Sequence, residues 1–227
     1  MEKEINEIKQ AAGILCAKGW AEMHAGNISY RLDDDSLIVS CAGSRMKDLQ
    51  INFEENAIRV KDNGKDVEFI RFTDKEIAPT SELATHLALH QCIKENDMKY
   101  KVILHTHPDE IIALTQIKNF NSSSAINTLL WNVLPESKLS LPQGVAFVKY
   151  YTTGSRKLAE KTASALVKSN FIIWEKHGCI VASETAEGAI DLIEVVVKAI
   201  KIFFIVRNAG YNPEGLTRKQ LEELDNI

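Results

Sequence analysis

Cysteine is scarce in this chain and shows no pairing pattern. The four cysteines (Cys16, Cys41, Cys92 and Cys179) are scattered through 227 residues, and no two of them have Cys-x-x-Cys spacing. This distribution argues against a zinc site built from thiolates. The opening residues, Met-Glu-Lys-Glu, do not resemble a secretory signal peptide. We therefore expect reduced thiols and a cytoplasmic protein.

Long apolar runs and a strong net charge are also missing. No run reaches the roughly 18 apolar residues that a membrane-spanning helix needs, and the formal net charge is only -4. Neither a nucleic acid nor an anionic membrane is therefore expected as a partner. An anionic small molecule remains compatible with this charge, because backbone amides and a metal ion can bind an anion locally.

Internal repeats, low-complexity tracts and linkers are absent, so residues 1–227 are expected to form a single domain. The spacing of apolar residues predicts helices over 3–18, 81–95, 108–118, 155–168 and 185–208. It predicts strands over 27–32, 37–41, 57–60, 67–72, 102–107, 145–148, 171–175 and 179–183. The stretch from 119 to 143 is expected to be less regular. Hairpin-linked strands, with Asn63-Gly64 as the strongest turn signal, predict a largely antiparallel sheet covered by helices.

Three histidines at strand ends are the strongest sign of chemistry. His105 and His107 are two residues apart in an apolar strand, so both side chains point to the same face. His177 follows a second apolar strand and precedes a glycine. Three imidazoles with one open position suit a catalytic zinc ion. The alternative is that these histidines are core residues with satisfied hydrogen bonds.

The other histidines are weaker metal candidates. His86 and His90 share one helix face, but Leu87 occupies the place where the metalloprotease motif needs glutamate. We expect this pair to pack or to form hydrogen bonds. His24 lies beside a turn and is expected to neighbour a ligand rather than to bind the metal.

Several turns could bind an anion. In Pro79-Thr80-Ser81-Glu82, the start of a helix combines free backbone amides, two hydroxyls and a carboxylate. Helix capping by Thr80 or Ser81 is the structural alternative. The turns Ala25-Gly26-Asn27 and Cys41-Ala42-Gly43-Ser44 are further candidates, since glycine lets the backbone approach a ligand closely. An ordinary turn is the alternative for each of them.

Taken in order, four motifs resemble those of class II sugar-phosphate aldolases of the aldolase/adducin family. They are Gly26-Asn27-Ile28-Ser29, Pro79-Thr80-Ser81-Glu82, His105-Thr106-His107-Pro108 and Lys176-His177-Gly178. Within the family, Leu130-Trp131, Pro135-Glu136, Trp174-Glu175 and the tail Ala209-Gly210-Tyr211 with Leu216-Thr217 are most similar to L-rhamnulose-1-phosphate aldolases. The resemblance implies reversible, zinc-dependent cleavage of that ketose phosphate to dihydroxyacetone phosphate and L-lactaldehyde.

The resemblance also implies an α/β/α layered fold and a C4 homotetramer with sites near the subunit interfaces. It assigns His105, His107 and His177 as ligands of one Zn²⁺ per subunit. Glu82 would be the general base, and would act as a fourth ligand while substrate is absent. Glu136 would act as the carboxylate at the aldehyde end of the substrate. The phosphate would be held by Asn27, Gly43, Thr80 and Ser81.

Two departures from the family pattern concern substrate recognition. His24-Ala25 stands where rhamnulose-phosphate aldolases commonly have Asn-Gly, and Ala42 stands where a hydroxyl residue is common. Three alternatives therefore stay open. They are a related lyase such as an L-fuculose-1-phosphate aldolase or a thiosugar-phosphate dehydratase, a pentulose-5-phosphate 4-epimerase, and a non-catalytic adducin-like module.

Overall fold

The computed structural model describes residues 1–64 and 66–224 of the 227-residue chain. Within these ranges, eight strands form one sheet. In chain order the strands are β1 (Asn27–Arg31), β2 (Leu37–Ser40), β3 (Ala57–Asp62), β4 (Val67–Arg71), β5 (Val102–Thr106), β6 (Ala146–Val148), β7 (Phe171–Trp174) and β8 (Gly178–Ser183). Their order across the sheet is β4-β3-β2-β1-β5-β8-β7-β6.

The sheet is largely antiparallel, as predicted. Each neighbouring pair is antiparallel except β6 and β7, which are parallel. The hairpin expected at Asn63-Gly64 joins β3 to β4, where Asp62 pairs with Val67. Its turn begins with the backbone N–H of Gly64 donating to Asp62 Oδ1 at 2.8 Å. The central pairing of β1 with β5 connects segments more than seventy residues apart, with Asn27 opposite His105.

Helices cover both faces of the sheet, which confirms the α/β/α layering. The helices are α1 (Glu2–Lys18), α2 (Met46–Ile51), α3 (Leu83–Glu95), α4 (Asp109–Leu114), α5 (Ser123–Val133), α6 (Pro135–Ser140), α7 (Arg156–Leu166), α8 (Ala186–Asn208) and α9 (Arg218–Leu224). The main core packs the buried stripes of α1 and α8 against strand residues such as Leu104. A second core packs α3 and α7 on the opposite face, against Ile103 and Ile172.

The expectation of an irregular stretch over 119–143 is wrong. This stretch contains α5 and α6. The side chain of Ser122 caps α5 by accepting a hydrogen bond from the N–H of Ala125, and Ile126 and Leu130 of that helix are buried. Pro135 occupies the first turn of α6, where its missing N–H costs nothing. Serine and asparagine at the start of this stretch are typical of a loop, although the apolar residues that follow have helical spacing.

No helix in residues 1–64 and 66–224 is both long enough and apolar enough to cross a membrane. All four cysteines are free thiols, and Cys41, Cys92 and Cys179 are buried.

Candidate metal centre and substrate cleft

The three predicted histidines meet at one end of the sheet. His105 lies in β5, His107 follows the end of that strand, and His177 lies in the turn between β7 and β8. One potential ligand atom from each residue lies within 4.8 Å of the other two. The Nε2 atoms of His105 and His107 are 2.8 Å apart. Because β5 alternates faces, both of these rings lie on the side of the sheet that α3 and α7 cover.

His177 reaches this cluster because a tight turn lies against β5. Lys176 has a φ of +60°, and its backbone N–H donates to Thr115 Oγ1 at 2.8 Å. Gly178 has a φ of +151°, and a Cβ there would lie 2.4 Å from the carbonyl oxygen of Thr106. Glycine therefore allows the turn to approach the strand that carries the other two histidines.

The protonation of the cluster suits a cation. His105 Nδ1–H donates to the carbonyl oxygen of Cys179 at 2.8 Å, which leaves the Nε2 lone pair directed toward the cluster. Burial lowers the pKa of His105 and of His177, and it lowers the pKa of His107 to about 3 with a further contribution from the charge of His105. The imidazoles are thus neutral at pH 7. Three neutral nitrogen donors that converge in this way fit a divalent metal such as zinc.

Glu82 lies beside the cluster as a buried carboxylate. Its Oε2 is 3.4 Å from His105 Nε2 and accepts a hydrogen bond from Asn27 Nδ2 at 2.8 Å. Its Oε1 is buried and has no hydrogen-bond partner. Burial of a carboxylate oxygen without a partner costs free energy. Such an oxygen is typical of a catalytic or ligand-binding site.

Helix capping does not explain Glu82. The helix α3 begins at Leu83 with Glu82 as its N-cap residue, and no side chain caps the helix. Thr80 Oγ1 instead accepts the N–H of Glu82 at 3.3 Å within the loop. The carboxylate instead contacts Asn27 and lies beside His105.

A cleft of about 280 Å³ contains most of the predicted site. The three histidines and Glu82 line it together with the four residues that the resemblance assigned to phosphate, Asn27, Gly43, Thr80 and Ser81. A backbone bridge between Cys41 and Pro79 joins the loop that contains Gly43 to the loop that contains Thr80 and Ser81. His24 also lines the cleft.

Gly26 permits the third loop to approach the cleft. It has a φ of +79°, and a Cβ there would lie 2.8 Å from the carbonyl oxygen of His105. The loop before β1 therefore contacts the backbone of a candidate metal ligand directly. Ala25 and Ala42, the two departures from the family pattern, line the same cleft.

Glu136 is not brought into this cleft. It is exposed in the first turn of α6 and is not among the residues that line the cleft of its own chain. Thr153 lines the cleft but was missed by the sequence analysis. Its signal was present in Thr152-Thr153-Gly154, a hydroxyl-glycine sequence that follows strand β6 and resembles the other candidate loops.

His86 and His90 form hydrogen bonds, as predicted, and do not contribute to the three-histidine cluster. Both are buried in α3 and both contact Ser29 Oγ, at 2.7 Å from His86 Nδ1 and 2.8 Å from His90 Nε2. His86 Nε2 also lies 2.5 Å from Asn27 Oδ1. Burial lowers the pKa of His86 to about 4 and that of His90 well below its usual range, so both rings are neutral.

Comparison with known proteins identifies the family of this chain. The model of the class II aldolase and adducin N-terminal domain matches residues 6–204. Rhamnulose-1-phosphate aldolase of Bacteroides thetaiotaomicron is 33% identical and aligns with 99% of this chain and 93% of its own length. The rhamnulose-1-phosphate aldolase of Listeria welshimeri is 29% identical over 97% of this chain and 87% of its own.

Solved structures share the fold of this chain. A sugar-phosphate aldolase from Thermotoga maritima superposes with a TM-score of 0.86 at 29% identity, covering 94% of this chain and 98% of its own. An L-fuculose 1-phosphate aldolase shares the fold, with a TM-score of 0.72 at 18% identity over 100% of this chain and 96% of its own. The matched residues include every candidate metal ligand and both acidic candidates. The chain belongs to the class II aldolase and adducin N-terminal domain family.

Proposed function

We propose that this protein is a zinc-dependent aldolase that reversibly cleaves L-rhamnulose 1-phosphate to dihydroxyacetone phosphate and L-lactaldehyde. The observation that carries this proposal is the convergence of His105, His107 and His177 on a cleft that also contains the unpartnered Oε1 of Glu82. The family membership and the rhamnulose-1-phosphate aldolase relatives support an aldolase.

The proposed metal ligands are His105, His107 and His177. Three neutral imidazoles leave the full charge of a bound zinc ion available as a Lewis acid that stabilises negative charge on the substrate oxygens. The ligand set has no thiolate to reduce that charge. A zinc ion bound there would stabilise the carbanionic character that develops on cleavage, so no Schiff-base lysine would be needed.

Glu82 is the proposed general base. In the synthetic direction its Oε1 takes a proton from the hydroxymethyl carbon of dihydroxyacetone phosphate, and in cleavage it returns that proton. Asn27 holds Oε2, so Oε1 is the oxygen free to accept the proton. Because the carboxylate is buried, water competes weakly for that oxygen.

The proposed phosphate site consists of Asn27, Gly43, Thr80 and Ser81. Their position in the same cleft as Glu82 and the histidines supports this assignment. Hydroxyls and backbone amides can bind the dianion without a lysine or arginine. Binding energy at the phosphate would then hold the reacting carbon beside Glu82.

We further propose that Glu136 acts in a neighbouring subunit of a C4 homotetramer, where it exchanges a proton with the aldehyde oxygen. Its exposure and its separation from the cleft of its own chain support a role across an interface. Co-expression of Glu82→Gln and Glu136→Gln chains tests this arrangement. Random mixing of the two inactive chains should restore about a quarter of the wild-type activity if the residues act from adjacent subunits. If both residues act within one chain, the mixture stays inactive.

The substrate is tested with a panel of ketose phosphates and the zinc-loaded protein. Dihydroxyacetone phosphate and L-lactaldehyde from L-rhamnulose 1-phosphate are the expected products. Preference for L-fuculose 1-phosphate would change the stereochemical assignment, and an isomerised pentulose phosphate would replace the aldolase by an epimerase. A thiosugar phosphate that loses water would indicate the dehydratase. Absence of bound metal and of every activity would indicate the adducin-like module.

The metal site is tested by elemental analysis. We expect about one zinc per chain for the wild type. His107→Ala should lose the metal and the activity, whereas His86→Ala should retain the metal. The opposite result for the two variants would overturn the ligand set.

The role of Glu82 is tested by deuterium exchange. Dihydroxyacetone phosphate in D₂O, without aldehyde, should exchange its hydroxymethyl proton with wild type but not with zinc-loaded Glu82→Gln. Glu136→Gln should slow cleavage by about 10²–10⁴-fold with a smaller effect on this exchange. Loss of exchange only in Glu136→Gln would reverse the two roles.

A further inference from the structure

Behind Glu82, a chain of buried polar side chains crosses from the cleft into the space between β1 and α3. Asn27 Nδ2 lies 2.8 Å from Glu82 Oε2, and Asn27 Oδ1 lies 2.5 Å from His86 Nε2. Ser29 Oγ then lies 2.7 Å from His86 Nδ1 and 2.8 Å from His90 Nε2. All five residues are at least nine-tenths buried.

The chemistry of the donors and acceptors gives this chain one direction. A carboxylate only accepts, so the amide of Asn27 must present its NH₂ to Glu82 and its oxygen to His86. His86 must therefore carry its proton on Nε2, and its Nδ1 accepts the hydroxyl proton of Ser29. The oxygen of Ser29 accepts in turn from His90 Nε2–H. Each group in the chain thus donates toward Glu82.

We infer that His90, Ser29 and His86 form a one-way hydrogen-bond chain that fixes the amide of Asn27, so that it holds Oε2 of Glu82 and leaves Oε1 as the reactive oxygen. This inference rests on the proposed function, since it concerns the base of that reaction. Without the N–H of His86 the amide oxygen of Asn27 would be buried without a donor, and only the hydrogen bond to Glu82 would orient the amide. The amide would then move toward another donor, and Oε2 of Glu82 would lose its fixed position.

The chain positions the base and does not conduct protons. An amide such as that of Asn27 does not pass a proton on, and Asn27 separates Glu82 from both histidines. At the other end, His90 Nδ1 is buried without a hydrogen-bond partner. The lowered pKa values of His86 and His90, which follow from burial, keep both rings neutral and the direction of the chain constant.

A purely structural role fits this arrangement less well. Leu89 and Ile93 of the same helix α3 belong to an apolar core, so packing of this helix does not by itself require a buried polar network. Burial of a polar network costs free energy unless every member is satisfied. His90 Nδ1 and Glu82 Oε1 remain unsatisfied at the two ends. A chain that holds Oε2 of Glu82 and leaves Oε1 free for catalysis explains why Oε1 has no hydrogen-bond partner.

Kinetics on paired variants test the inference. His86→Leu removes the donor to Asn27, whereas His86→Gln offers an amide N–H at a similar distance along the side chain. With zinc content checked, we expect His86→Leu to lower kcat for deuterium exchange into dihydroxyacetone phosphate by about 10- to 100-fold with little change in KM. His86→Gln should recover most of that loss. Equal losses in the two variants, or an unchanged kcat in zinc-loaded His86→Leu, would overturn the inference.

Nitrogen-15 NMR of metal-free wild type supplies a test that needs no activity and no variant that folds poorly. His86 and His90 should both appear at pH 7 as neutral rings protonated on Nε2, and the His86 Nε2–H should exchange slowly with water. Protonation of His86 on Nδ1, or a charged ring, would overturn the one-way chain. If the chain is observed but wild type catalyses no exchange, the proposed function fails and the hydrogen-bond assignment stands.

Discussion

Replacement of Gly178 by alanine tests how the strand pairing supports the site. This residue begins β8, directly after His177, and pairs opposite Trp174 of β7. An alanine Cβ would lie 2.4 Å from Thr106 O and 3.1 Å from His107 Cδ2. The oxygen belongs to the backbone of β5 and has no rotamer by which to move away. The turn or the strand must therefore shift, and the histidines on both must shift with them.

The expected cost has two parts. A φ of +151° is suited to glycine, and an alanine there costs about 1–3 kcal/mol. Separation of two packed backbone segments to relieve the contact costs about another 1–3 kcal/mol. We therefore expect Gly178→Ala to lower the free energy of unfolding by about 2–6 kcal/mol, a large part of the roughly 5–15 kcal/mol typical of a native protein.

Gly210→Ala is the matched control. Gly210 also has a positive φ, at +86°, but a Cβ there has no neighbour within 4 Å. Gly210→Ala should therefore lower the free energy of unfolding by about 1–2 kcal/mol, through backbone strain alone. Urea unfolding at one protein concentration, with zinc content from elemental analysis, measures both effects. Gly178→Ala should also lose zinc and Gly210→Ala should not. Equal destabilisation with full zinc content in both would refute the steric reasoning.

Three further predictions concern pH, packing and assembly. Burial lowers the pKa of His86 from 6.5 to about 4. As the pH falls through this interval, His86 becomes protonated in the unfolded chain but not in the native chain, so the native state loses stability. From pH 8 to pH 5, metal-free wild type should lose about 2 kcal/mol more stability than His86→Gln in urea unfolding, and equal losses would contradict this. Asn127 accepts from Val145 N at 2.7 Å and donates to Val145 O at 3.1 Å. Asn127→Ala should therefore cost about 2–4 kcal/mol in the same assay, well above the exposed control Thr128→Ala. Light scattering should give a homotetramer, and a fully active monomer would contradict a site completed by neighbouring subunits.

Local patterns were sufficient to predict most of the elements. The strands lie within about two residues of their predicted limits because alternation of apolar residues is a local property. The same alternation correctly predicted that His105 and His107 share a face. The segment 119–143 was misread because Ser122 and Asn121 suggest a loop, although the buried stripe that begins at Ile126 is helical. Element type was thus predictable wherever composition and periodicity agreed.

The pairing of distant segments was not predictable from such patterns. The placement of β1 beside β5 and the parallel pairing of β6 with β7 depend on contacts between remote parts of the chain. The chain from His90 to Glu82 has the same origin, since Ser29 lies 57 residues from His86 in sequence. Neither residue type alone indicates such a contact. The positions of the three histidines at strand ends predicted a shared metal site with a core role as the alternative, and the resemblance to a family favoured the metal site.

Strand register couples the fold to the chemistry. The carbonyl oxygen of Cys179 in β8 accepts the Nδ1–H of His105 in β5, so the pairing of these strands selects the tautomer that leaves Nε2 free. A slip of one residue in β5 would turn His105 toward the opposite face of the sheet and place Leu104 in the cleft. The apolar residues Val102 and Leu104 oppose that slip because they fill the main core, while Ile103 fills the second one. The free energy that buries these side chains therefore also holds the imidazole in place, and a variant that loosens this packing should lose metal affinity before it loses the fold.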